Sequence, residues 1–454
     1  MHSRARQAVA PVYLFACLIL GGSAQGIWQN MVLQLAGVAI IGWAAASSPA
    51  GGVAAPARHL LMIAALAIAV VGVELIPLPI SLWAELGARK ALAQQYGTLG
   101  IHPSALPLSL NPYGSLDSLL GVIPPLAMVC AMVRLKTYRP AWLAIALLAG
   151  TVAGILLGAL QVASSHATEP PWYLYEETNI GTAVGFFANV NHMATLLVIS
   201  LPFLAAIAAT SRTGNVQRYS AVIALTAGGA LLIVVGLALN GSLAGYGLAL
   251  PVLAASALIV LRPNSRLRIW AVVTAALLLV GAVTALETTS IGGSRIGEDA
   301  TTSVQSREAI LSTTAEALKD FFPFGSGLGS FRSVYHLYEK PTEVTDTYVI
   351  HAHNDYVELA LETGVAGLIV LALFLVWWAA AVWRVWRTAE AGPFARAASI
   401  ASAAVLVHSL VDFPLRTAAI SACFGMCAAF LGDRRAPRAA EASDLRPTRH
   451  VVMR

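Results

Sequence analysis

The sequence predicts an all-α polytopic membrane protein, and three observations predict it. The 454 residues are 57% hydrophobic and 11% charged, with mean hydropathy +0.72, against roughly 25% charged in a soluble domain. Apolar runs of about 20 residues recur, each long enough to cross a hydrocarbon core about 30 Å thick. The basic residues alternate between loops as the sidedness of a membrane protein requires.

Taken in order, about twelve spans are expected, near 10–28, 29–46, 59–77, 117–133, 140–161, 193–210, 219–239, 243–261, 269–286, 364–383, 394–411 and 414–431. With the N-terminus inside, 20 of the 28 Lys and Arg residues fall on the inner side. The eight outside are Arg89, Lys90, Arg295, Arg307, Lys319, Arg332, Lys340 and Arg416. The formal charge of +5 is therefore a product of topology, and it does not point to nucleic acid. Arg4 and Arg6 before the first apolar run could mark a cleaved signal, but a second span follows at once, so an uncut anchor is expected. Cys17, Cys130, Cys423 and Cys427 all lie in apolar runs and read as small core residues.

These spans divide the chain. Residues 1–286 hold spans one to nine, with external loops near 78–116 and 162–192. Residues 287–363 form a large external loop, 364–431 hold the last three spans, and 432–454 make an inner tail of disordered composition. In loop 78–116, prolines with Leu82, Trp83, Leu86 and Leu92 suggest short interfacial helices.

Hydrophobic spans say little about chemistry, so the polar loop is where chemistry is expected. It contains an amphipathic helix from Val304 to Phe321, then the turn Phe324-Gly-Ser-Gly-Leu-Gly-Ser330, and ends in His351-Ala-His-Asn-Asp-Tyr-Val-Glu358. Gly325-x-Gly-x-Gly329 has no preceding strand, so a bend is a better reading than a phosphate loop. Asp355 and Glu358 read as a near capping box, and Asn354, Glu358 and Glu362 share one helix face. A histidine just before such a helix suits proton abstraction near neutral pH. Surface histidines, or a zinc pair lacking its third ligand, are the competing readings of His351 and His353. Among Arg295, Arg307, Arg332 and Arg416, a guanidinium could hold a phosphate, though each could equally pair with a nearby carboxylate. Asp412 stands in a hairpin with His408 and Arg416, an ionisable cluster at a membrane surface; Glu74 is more isolated.

Four patterns carry a resemblance: Gly185-Phe-Phe-Ala-Asn-Val-Asn-His192, Ser306-Arg307 opening a helix that leads to Pro323-Phe-Gly-Ser-Gly-Leu-Gly329, His353-Asn-Asp-Tyr-Val-Glu-Leu-Ala-Leu-Glu-Thr-Gly364, and His408-Ser-Leu-Val-Asp-Phe-Pro-Leu-Arg416. Together and in this order they resemble the O-antigen ligase and polymerase superfamily. The resemblance implies a C-type glycosyltransferase architecture in the bacterial inner membrane, with a periplasmic site and cytoplasmic termini. It implies en bloc transfer of a glycan from undecaprenyl diphosphate to a hydroxyl of lipopolysaccharide core or of a growing polysaccharide, without metal or other cofactor. His353 would then be the base and Arg307 a diphosphate ligand, with Arg295, Arg332, Arg416, His351, Asn354, Asn191, His192, Glu358 and Asp412 as further substrate-binding candidates. One departure is Leu243, in Asn240-Gly-Ser-Leu-Ala-Gly245, where the family often has an arginine. A polymerase, a protein O-oligosaccharyltransferase and, outside the class, a lipid or polysaccharide transporter remain alternatives.

Overall fold

The computed structural model describes residues 2–24, 26–47, 52–136, 138–164, 171–211, 216–261, 270, 273, 277, 295–341, 344, 348–388 and 391–433. The expected span 269–286 and the tail beyond Asp433 fall outside the described residues.

Eight described helices are long and apolar enough to cross a membrane. Three shorter apolar helices stand where the first and the last two spans are expected. The described helices are α1 (His2–Leu20), α2 (Trp28–Ala46), α3 (Ala55–Glu74), the short α4 (Ile80–Trp83) and α5 (Arg89–Thr98), then α6 (Pro112–Gly121), α7 (Ile123–Val133), α8 (Pro140–Ala163), α9 (Val190–Thr210), α10 (Val216–Asn240) and α11 (Leu243–Val260). After these come α12 (Arg295–Phe321), α13 (Phe331–Tyr338), α14 (Asp355–Arg387), α15 (Pro393–His408) and α16 (Ala418–Gly432). The first helix ends eight residues earlier than expected. Gly21 and Gly22 end it, pressed so closely against Ala418 and Phe186 that a Cβ on either would collide.

Loop 78–116 is not wholly helical. Pro77–Pro79 (β1) and Ala105–Pro107 (β2) pair as a two-stranded antiparallel ribbon. Proline fixes φ near −65° and biases the residue before it to extended backbone, which is why this proline-rich stretch makes strand.

Two cores result. The larger joins the apolar faces of α1, α7, α8, α9, α15 and α16. The smaller lies in the polar loop, where Ile310, Ala317 and Phe321 of α12 meet Phe331, Val334 and Tyr335 of α13 and Leu361 of α14. The buried positions on α12 recur at helical spacing, as its amphipathic sequence demands.

The glycine-rich turn fastens the small core to the membrane helices. Ser326 N–H donates to Leu361 O (2.9 Å), Gly327 N–H to Glu362 O (2.7 Å) and Leu328 N–H to the Glu74 carboxylate (2.9 Å). The buried Arg89 guanidinium donates to Leu108 O and to Gly325 O (2.7 Å), tying loop 78–116 to the same turn. All of the turn's backbone polar groups named here face protein, so it acts as a bend.

Candidate active site

The site forms where the start of α14 meets the hairpin between α15 and α16. Asn354 is the N-cap of α14, its side-chain oxygen accepting from the N–H of Tyr356 and Val357. Its amide donates to Leu410 O (2.9 Å), which ties the helix start to the hairpin. The cap therefore sits one residue before the position expected, and Asp355 serves elsewhere. Its carboxylate accepts from Ser409 Oγ (2.8 Å), and its backbone N–H donates to Ser409 O (2.9 Å).

His353 sits immediately before this cap with φ +51°, a left-handed backbone that costs a non-glycine residue of order 1 kcal/mol or more. Its Nδ1 lies 3.3 Å from Asp412 Oδ1. His353 is 29% exposed and Asp412 is fully buried. A carboxylate on Nδ1 selects the tautomer that leaves the Nε2 lone pair for a reacting proton. Burial pushes the Asp412 carboxyl up, but the hydrogen bond from His353 and the nearby His192, His353 and His408 outweigh it and hold it well below the usual carboxylate range.

His351 turns to a different carboxylate. Its Nδ1 lies 2.8 Å from Glu358 Oε1, while Glu358 Oε2 accepts the N–H of Ala352 (2.8 Å). His351 and His353 thus do not converge as a ligand pair. Among the described residues, no group of three or more His, Cys, Asp or Glu is arranged to hold a metal ion.

Arg416 is surrounded by acid. Its Nη2 lies 3.1 Å from Glu358 and 3.6 Å from Glu362, and its Nε lies 3.4 Å from Asp355. The shared face expected for Glu358 and Glu362 is therefore used to grip one guanidinium. The helix kinks at Gly364 (φ 56°, ψ −145°), and every acidic residue of α14 precedes that kink, outside the apolar stretch that follows. Burial would raise Glu358, but Arg416 and His351 hold it below its usual range. Burial raises Glu362 above its usual range despite Arg416. One cation cannot fully offset three carboxylates, and burial pushes Glu362, with Asp355, towards its protonated form.

The remaining predicted residues divide. Arg307, half-buried on α12, is close enough for its charge to act on His408. Arg332 is exposed on α13 and lies over the Tyr348 ring at 4.4 Å. The Arg295 side chain is outside the described residues. Asn191 Oδ1 accepts from Ser242 Oγ (2.7 Å), the N-cap of α11, where Leu243 is exposed beside it. His192 is 2% exposed, behind the Phe413 ring. Sequence reasoning missed Phe413, whose ring lies 4.3 Å from His351, 5.1 Å from His353 and 5.2 Å from His192. It also missed Thr195, bonded to His408 Nδ1 at 2.7 Å. Neither residue type signals chemistry alone; only the fold brings Thr195 and His408 together from 213 positions apart.

Beside Arg416 a cleft of about 500 Å³ opens, lined also by Trp28, Gln34 and Asp117. The site thus brings together a histidine held by a buried carboxylate, a buried cluster of acids around Arg416 and a cleft beside that arginine. A family model described as O-Antigen ligase matches residues 228–372, a stretch that includes Arg307 and His353 but not the Asp412 hairpin. That match supports the O-antigen ligase and polymerase superfamily, which the sequence patterns also resemble. No curated protein matches the chain.

Proposed function

We propose that this protein is a bacterial inner-membrane glycosyltransferase of the ligase type. It passes a glycan en bloc from undecaprenyl diphosphate to a hydroxyl of the lipid A-core at the periplasmic face. The observation that carries the reading is His353, held in a strained backbone with Nδ1 on buried Asp412 and its ring partly open. In the reaction Nε2 takes the acceptor proton, the acceptor oxygen bonds to the anomeric carbon, and the bond from that carbon to the diphosphate breaks. The diphosphate is already a good leaving group, so positioning, a base and charge neutralisation suffice without a metal. Arg416 is committed to carboxylates and Arg332 to Tyr348, so Arg307 is the arginine we assign to the diphosphate. The cleft beside Arg416 offers room for a sugar of the acceptor.

The test is a deletion strain complemented with wild-type, His353→Ala, His353→Gly, Arg307→Ala and Arg307→Lys copies, with glycans resolved on gels. Both His353 variants should abolish transfer; glycine accepts the left-handed backbone without cost, which separates loss of the base from loss of fold. Arg307→Lys should rescue poorly, because an ammonium lacks the guanidinium fork. Rough lipopolysaccharide with long glycan accumulating on undecaprenyl diphosphate supports ligation. Single-unit glycans would shift the assignment to polymerisation, and unchanged glycans would remove the enzyme reading.

A further inference from the structure

Behind Asp412 lie two histidines that the transfer reaction above does not use. His192 opens α9 and is 2% exposed; His408 closes α15 and is fully buried. Neither ring nitrogen of His192 has a hydrogen-bond partner in the structure, nor has His408 Nε2, nor has Asp412 Oδ2. Both histidines interact electrostatically with Asp412, whose N–H donates to His408 O (3.0 Å). A buried polar atom left unpaired costs about 1–3 kcal/mol, and a cluster of them marks a place for an enclosed water.

Thr195 bears on the tautomer of His408. When its hydroxyl donates to Asn191 O (2.9 Å), its oxygen accepts from His408 Nδ1 (2.7 Å). Neutral His408 then carries a lone pair on Nε2, and Asp412 Oδ2 is an acceptor as well. Two acceptors need a donor between them, which a water molecule or a His192 N–H supplies. The other Asp412 oxygen is already used, accepting from His353 and from the N–H of Phe413 (3.0 Å).

We propose that His192 and His408, joined to Asp412 through an enclosed water, are positioning residues that hold the carboxylate on His353 and so keep its Nε2 free to act as base. This rests on the reading of His353 as the base. The Phe413 ring packs against the His192, His351 and His353 rings and so helps to close this pocket off from bulk solvent. The charged or titratable groups facing the unit are His353 across Asp412, Arg307 from α12 towards His408, and His351 with Glu358 and Arg416 beyond Phe413.

The test uses purified full-length protein in lipid nanodiscs, with lipid-linked glycan and acceptor. Wild type is compared with His192→Phe, His192→Gln and His408→Gln for kcat, KM, thermal midpoint and the pH profile of kcat. Replacing His192 with Phe keeps the bulk and removes the polar atoms. It should lower kcat by about tenfold or more while KM stays within about twofold, and should displace the acid limb of the profile. The Gln variants, which can both donate and accept, should recover much of the rate. A wild-type kcat and pH profile for His192→Phe would overturn the proposal. So would losses that track the thermal midpoint in all three variants with the profile unmoved. Full transfer by His353→Ala would instead sink the base assignment, whatever the His192 variants do.

Discussion

At the scale of single residues, Glu358 and Glu362 show how one guanidinium divides its influence between two carboxylates a turn apart. Glu358 receives Arg416 at 3.1 Å, His351 at 2.8 Å and the Ala352 N–H at 2.8 Å. Glu362 receives Arg416 at 3.6 Å, while its other oxygen accepts the Phe331 N–H at 2.9 Å. The first is held ionised and the second is pushed towards its protonated form by burial. Glutamine imitates a protonated glutamate, so the two sites should respond unequally to the same change. Glu362→Gln is expected to alter stability by less than about 0.5 kcal/mol. Glu358→Gln should cost about 1.5–3 kcal/mol, the worth of hydrogen bonds to a charged group. Thermal unfolding of the two variants checks this, and equal costs would mean that both carboxylates are ionised.

At the scale of elements, the joint between the glycine-rich turn and α14 sets where the polar start of α14, with His353 before it, sits relative to the apolar stretch. Gly364 takes a backbone conformation open only to glycine, and a Cβ there would lie 2.1 Å from Pro323 O. Val365 N–H donates to that same carbonyl at 2.9 Å, so the turn and the kink lock together. Breaking the lock should loosen the small core and the polar start of α14 at once. Gly364→Ala is expected to destabilise by roughly 2–4 kcal/mol and to reduce transfer. A variant with wild-type melting and full activity would show that the joint relaxes freely. The buried Arg89 belongs to the same assembly. Burial lowers its pKa to about 10, and its donors hold the carbonyls of Leu108 in loop 78–116 and Gly325 in the turn.

At the scale of the whole molecule, apolar length and the placement of Arg and Lys made the membrane architecture legible, because both follow from the bilayer as solvent. The position of His353 just before a helix start was legible too, since it stands in a polar run ahead of Asn354 and Asp355. Three things were not. The ribbon of β1 and β2 arises from proline backbone limits within a loop that reads as interfacial helix. The partners of Arg416 could not be told from its position, as a phosphate ligand and a carboxylate-bound arginine look alike in sequence. The pairing of His408 with Thr195 depends on how α15 packs against α9, which periodicity does not encode. The inner and outer sides are assigned from charge, and the cysteines make that assignment easy to check. All four are buried, so a membrane-impermeant thiol reagent should find little background. Ser333 on α13 and Thr388 after α14 are both exposed and lie on opposite predicted sides. In intact spheroplasts Ser333→Cys should label, while Thr388→Cys should label only after permeabilisation. Arg384 and Arg387 lie beside Thr388, so the opposite pattern would require these charges to be translocated and would place the candidate base on the cytoplasmic side, away from any periplasmic acceptor.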